Sequence, residues 1–225
     1  MSLWVKVCGN TSVEDALLAA ESGADAVGFV FAASPRRVTE EQVAAIVPGL
    51  PAELEKIGVF VESTFEEIEA AVSNCGLTGV QILAGRGFGM SARLRARFGN
   101  GLRILRVVHF GELAAQQVAA IAAEQDVDAI LVDSRTATAV GGTGLVFDWN
   151  RARETVFAGR SSKRLVAAGG LSPANVADAI AMLRPWGVDV VSGVEAAPGR
   201  KDAAKVRGFV AKARAAHGRL AGISS

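Results

Sequence analysis

The chain has 225 residues, half of them hydrophobic, with 25 glycines, 6 prolines, 2 cysteines and a formal net charge of +1. That length suits one large domain, and so small a charge leaves no electrostatic footprint for nucleic acid or an acidic membrane surface. No apolar run approaches the roughly 18 residues of a membrane span, the first residues do not resemble a signal peptide, and Cys8 and Cys75 allow one disulfide at most. A reduced cytoplasm is the expected setting. The only histidines, His109 and His217, are far apart and lack Cys or carboxylate partners at ligand spacing, so no metal site is expected.

Short, nearly all-apolar runs recur along the chain with alanine-rich amphipathic stretches between them. In order they are Trp4–Val7, Ala26–Phe31, Lys56–Val61, Gly79–Leu83, Arg103–Val108, Ala129–Val132, Arg164–Ala168 and Val188–Val191. Runs of this kind are expected of parallel strands covered by helices on the outside. Ser12-Val-Glu-Asp15 and Thr39-Glu-Glu-Gln42 have the capping-box spacing of helix starts, and Ser172-Pro173 puts a proline where a first helical turn tolerates it. Pro48–Pro51 and Gly85–Gly89 read as loops. Lys201, Lys205, Arg207, Lys212, Arg214 and Arg219 fall at helical spacing among alanines and read as the solvated face of a last helix. An open doubly wound sheet would carry Gly-x-Gly-x-x-Gly after its first strand, and Val7-Cys8-Gly9-Asn10 is not that. The expected fold is therefore α/β, a single-domain (β/α)8 TIM barrel over residues 1–225 with a phosphate site on its C-terminal face.

The last two strands carry that phosphate site. Arg164–Ala168 runs into Gly169-Gly170, and the run ending at Val191 stops on Ser192-Gly193. Backbone N–H groups with no side chain in the way suit a phosphate monoester, and the turns after the last two strands are where such barrels hold one. Chemistry belongs at the same strand ends. Cys8 ends the first run, Ser34-Pro35-Arg36 follows the second, and Asp133-Ser134 ends the sixth. A thiol and a carboxyl facing each other across the mouth could act as a base and an acid pair. The thiol would need its pKa lowered by a nearby positive charge or dipole, and the carboxyl would need to hold a proton.

With these segments assembled, the sequence resembles the phosphoribosylanthranilate isomerase family of tryptophan biosynthesis. The matching stretches are Lys6-Val7-Cys8-Gly9, Glu14-Asp15-Ala16, Ser22 to Phe31, Ser34-Pro35-Arg36, Gly58-Val59-Phe60-Val61, Val132-Asp133-Ser134, Gly141-Gly142-Thr143-Gly144 with Phe147-Asp148-Trp149, Gly169-Gly170-Leu171 with Pro173 and Asn175, and Val188 to Glu195 with Pro198-Gly199 and Lys201-Asp202. The resemblance implies an Amadori rearrangement without metal or cofactor. Asp133 would be the general acid at the ring oxygen, Cys8 the general base at C2, and Arg36 the residue that positions the anthranilate part. The phosphate would rest on backbone groups of Gly142, Thr143, Gly144, Gly169, Gly170, Ser192 and Gly193. The implied partner is a small phosphosugar, with no nucleic acid and no membrane, and the implied assembly is a monomer or homodimer.

Three positions depart from the family pattern. Val80-Gln81-Ile82-Leu83-Ala84-Gly85 lacks the histidine usual at strand four, Asn10 stands where an apolar residue follows Cys-Gly, and Glu62 replaces an Asn. All three lie at the mouths of strands one, three and four, which predicts a conserved phosphosugar end and an altered aromatic end. The alternatives are a related phosphosugar isomerase with another aglycone and a non-catalytic phosphate-binding barrel. Dual-substrate sugar isomerases carry Asp at the first catalytic position, where this chain has Cys8.

Overall fold

The computed structural model describes residues 2–83, 89–134, 148–158 and 161–223. Its eight parallel strands close into a barrel in chain order: β1 (Trp4–Val7), β2 (Ala26–Val30), β3 (Glu55–Phe60), β4 (Gly79–Leu83), β5 (Arg103–His109), β6 (Ala129–Asp133), β7 (Arg164–Ala168) and β8 (Gly187–Val190). β1 pairs with β2 on one side and with β8 on the other, with Lys6 opposite Asp189 and Val7 opposite Val190. The apolar runs locate every strand to within a residue at each end, because buried parallel strands need apolar side chains on both faces.

Around the strands lie α1 (Val13–Glu21), α2 (Glu40–Ile46), α3 (Phe65–Cys75), α4 (Met90–Phe98), α5 (Ala114–Ala122), α6 (Trp149–Ala152), α7 (Val176–Leu183) and α8 (Ala203–Ile223). Thr39 and Thr64 each close a full capping box, with Gln42 and Glu67 reaching back to the cap N–H. Ser12 makes only its half of that exchange, accepting from the Asp15 N–H. Pro173 does not open a helix. Asn175 takes the Ser172 N–H at 2.8 Å and donates to the Gly170 carbonyl at 3.0 Å, so 172–175 is a separate turn and α7 begins at Val176. Among the described residues no helix is long and apolar enough to cross a membrane.

Strand alternation divides the core into two layers. Trp4, Ala26, Ile57, Leu105, Val107, Ala129, Leu131, Val166 and Ala168 fill the barrel interior, while Val5, Val7, Val27, Phe29, Ile104 and Val188 pack outward against the helices. Trp4 stacks on Trp186 at 5.2 Å at the N-terminal end. After β8 the chain turns through Ser192–Val194 into a small hairpin, β9 (Glu195–Ala197) and β10 (Arg200–Lys201), before α8 begins.

Candidate active site

Cys8 has the same strand parity as Trp4 and Lys6, so it faces the interior at the C-terminal mouth. Its N–H bonds the Val190 carbonyl at 2.8 Å, and its side chain is buried. One layer below, the wholly buried Lys6 donates to Gln81 Oε1 of β4 at 2.7 Å and to Asp189 Oδ1 of β8 at 3.0 Å. Gly28 of β2 makes room for both. A Cβ there would collide with the Cys8 sulfur and stand 3.0 Å from Lys6 Cε. Lys6 therefore sits as a cation under the thiol, held by a carboxylate and an amide from two other strands. Burial opposes its charge, yet Asp189 and Cys8 hold its pKa above the ordinary lysine value.

The thiol itself is not lowered. Burial pushes Cys8 up, Lys6 and Lys201 pull it down, Asp189 adds to the rise, and the outcome lies above the usual cysteine value. The positive neighbours that base chemistry calls for are present, but desolvation outweighs them.

Arg36 lies across the backbone beside Cys8. A Cβ on Gly9, whose φ is +74°, would stand 2.8 Å from Arg36 Cδ. Arg36 gives its Nε–H to Glu195 Oε1 at 2.7 Å and an Nη2 proton to Oε2 at 2.6 Å. Glu195 Oε1 also accepts from the Gly199 N–H and from Lys201 Nζ, both at 3.3 Å, and Lys201 Nζ donates to the Cys8 carbonyl at 2.6 Å. Burial would raise the Glu195 pKa, but the Arg36 bonds and the Lys201 charge bring it below the usual glutamate value.

At the opposite side of the mouth Asp133 ends β6. Gly169 is the reason its carboxyl fits: a Cβ there would collide with Asp133 Oδ1 and Ser134 Oγ. Gly169 and Gly170 also take φ of +85° and +63°, the region that favours glycine. A Cβ on Gly193 would collide with the Leu171 carbonyl oxygen, so the turns after β7 and β8 touch backbone to backbone. Asp133, Ala168 to Leu171 and Asp189 to Ser192 together line one small pocket. The structure thus brings Asp133, the Gly169-Gly170 turn and Ser192 into one cavity; Gly193 packs on Leu171, which lines it, and Cys8 bonds through its N–H to Val190, another lining residue. Gly142, Thr143 and Gly144 lie outside the described residues.

The sequence alone assigns no role to Lys6, Gln81, Asp189 or Glu195, although a polar side chain at an inward position of an apolar strand signals the first three. Lys201 reads from the sequence as part of the solvated face of the last helix. It precedes α8, and its side chain is fully buried against Glu195. Asn10 is wholly buried and spends its Nδ2 on the carbonyls of Val7 and Gly28 at 2.8 and 3.2 Å, so it ties β1 to β2. Glu62 lines a separate opening with Phe60, Ser63, Leu83 and Met90.

An inward thiol at the end of β1 and an inward carboxyl at the end of β6 thus stand at the C-terminal mouth of a closed (β/α)8 barrel, with the glycine turns after β7 and β8 beside the carboxyl. The family profile described as N-(5'-phosphoribosyl)anthranilate (PRA) isomerase matches residues 5–212. The chain belongs to that family. It is 42% identical over 208 residues to the N-(5'-phosphoribosyl)anthranilate isomerase of Pelobacter propionicus, an alignment covering 92% of this chain and 93% of that one. Among solved structures, the phosphoribosylanthranilate isomerase of Thermotoga maritima superposes with a TM-score of 0.80 at 34% identity, over 95% of this chain and 99% of that one. A phosphoribosylanthranilate isomerase in complex with reduced 1-(o-carboxyphenylamino)-1-deoxyribulose 5-phosphate superposes with a TM-score of 0.78 at 33% identity, over 95% and 99%.

Proposed function

We propose that the chain, as one barrel domain over residues 1–225, isomerises N-(5'-phosphoribosyl)anthranilate to 1-(2-carboxyphenylamino)-1-deoxyribulose 5-phosphate in tryptophan biosynthesis. It works as a cytoplasmic monomer or homodimer, without cofactor, metal, nucleic acid or membrane partner. The observation that carries the reading is the shared pocket, in which the Asp133 carboxyl and the glycine turns after β7 and β8 face the same space.

The phosphate rests on N–H groups around Gly169, Gly170, Ser192 and Gly193, together with Gly142, Thr143 and Gly144. The donors in the turns after β7 and β8 belong to the backbone, so little side-chain ordering is left for binding to impose there. Asp133 gives its proton to the furanose ring oxygen as the C1–O bond breaks and the nitrogen lone pair forms a protonated imine. Cys8 then takes the proton from C2, and that electron pair moves to C1 and nitrogen to form the enolamine. Proton loss from the C2 hydroxyl and proton gain at C1 complete the ketone. The group that takes this proton is the thiolate, formed when the Cys8 thiol releases its own proton to solvent before the substrate binds; the Lys6 and Lys201 charges favour that form and burial opposes it.

The test follows the fluorescence of freshly prepared substrate with the wild type, Cys8→Ala and Asp133→Asn. Rapid decay with wild type and a loss of at least about 100-fold in each variant is expected. A folded wild type without turnover would reject this aglycone, and a near-normal rate in either variant would reject its assigned role.

A further inference from the structure

Arg36 is held by a residue from the far end of the chain. Glu195, 159 positions later, starts the β9–β10 hairpin and grips both Nε and Nη2, which sets the guanidinium plane rather than merely attracting its charge. Of the five N–H donors of an arginine, three remain for another partner. Arg36 is the more open of the two, its side chain 17% exposed against 4% for Glu195.

Glu195 is itself fixed. The Gly199 N–H and Lys201 Nζ bond the same Oε1, and Lys201 is tied through its other bond to the Cys8 carbonyl. A second support comes from Gly9, which leaves the space that the Arg36 stem fills. Two cations and one carboxylate make the cluster net positive, and its open member faces solvent beside the base. Such an arrangement matches an anionic group with planar, two-oxygen geometry, and an ortho-aminobenzoate carboxylate is one.

We propose that Glu195 is a positioning residue that orients Arg36 and thereby sets the preference for a carboxylate-bearing aglycone. The proposal rests on the isomerase reading above. Glu195 touches no reacting atom and acts on the aglycone through Arg36. The amide of Glu195→Gln would turn an N–H donor toward an arginine N–H, so the guanidinium would lose its plane while the barrel kept its strands.

The experiment measures kcat and KM for wild type, Glu195→Gln, Arg36→Ala and the double variant. The substrates are N-(5-phosphoribosyl)anthranilate and N-(5-phosphoribosyl)aniline, which lacks the carboxylate. For the anthranilate substrate, Glu195→Gln raises KM by about 10- to 100-fold, the effect of one misdirected charge-assisted hydrogen bond or pair. Its effect on the aniline substrate stays within about threefold, and adding it to Arg36→Ala changes KM by no more than that. Equal losses on both substrates, or an effect that persists undiminished without Arg36, would overturn the proposal by showing that Glu195 serves the barrel at large. If Glu195→Gln fails to fold, Glu195→Asp carries the same test, since it keeps the charge but is one methylene too short to hold both nitrogens. A wild type inactive on both substrates overturns the isomerase reading, and this proposal with it. An active wild type with an unchanged Glu195→Gln overturns the proposal alone.

Discussion

Lys6→Met is the sharpest test of the electrostatics inside the barrel. It keeps an unbranched apolar stem but removes the ammonium that holds Asp189 at 3.0 Å and Gln81 at 2.7 Å in a site with no solvent exposure at Lys6. Breaking a buried pair by removing one partner costs about 3–5 kcal/mol, because the remaining charge has no compensation. The stranded carboxyl can escape only by taking a proton. Keeping it protonated costs about 1.36 kcal/mol for each pH unit above an ordinary Asp value near 3.9, which comes to about 4 kcal/mol at pH 7 and about 1.5 at pH 5. The sign is therefore definite: the deficit grows as pH rises. Lys6 in the wild type has a raised pKa, so its contribution is fully present below the ordinary lysine value and is lost only as pH climbs through the raised one. Both test pH values lie in its charged range. Urea unfolding of both proteins at pH 5 and pH 7 measures the gap, and Lys6→Met/Asp189→Leu should recover most of it. A gap under about 1 kcal/mol at pH 7, or one that fails to shrink at pH 5, would refute the account.

Two further outcomes follow from the same contacts. Gly193→Ala must push the β8 turn away from the Leu171 carbonyl by about an ångström, a displacement that costs on the order of 100-fold in kcat/KM, and titration with the phosphorylated product should show weakened binding. Cys75, buried with its thiol toward the Glu40 carbonyl, has its pKa pushed by burial from 9.0 to about 11. A folded pKa above the unfolded one means stability is retained below pH 9 and lost as pH rises toward 11, a decline that Cys75→Ala should flatten in melts taken across that range.

The barrel was legible because each strand is an apolar run and each crossover is long enough for a helix. Several ends slipped by a single residue where a charged or histidine side chain bounds a strand, as Glu55 does at the start of β3 and His109 and Asp133 do at the ends of β5 and β6. The inward placement of Cys8 and Asp133 at strand ends was legible, and so was the position of Arg36 in the loop after the second strand. Their supports were not, since each depends on a contact between distant strands. Lys201 looks like any lysine near a helix until the hairpin folds it back onto Glu195. Pro173 looks like a helix opener until the Asn175 side chain captures the Ser172 N–H. The need for glycine at 169 comes from the Asp133 carboxyl on the adjacent strand, which no local pattern records.

The Lys6 brace also bears on the order in which the barrel can form. Its ammonium comes from the first strand, one acceptor from the fourth and the carboxylate from the last, 183 residues away. A chain that has made only its first four strands would hold a cation against a lone amide in an apolar lumen, a costly state that discourages early closure. Only arrival of β8 supplies the countercharge. A growing chain would thus stay open at this layer until its final strand is made, and a truncated barrel lacking β8 would carry its own penalty against persisting as a closed intermediate.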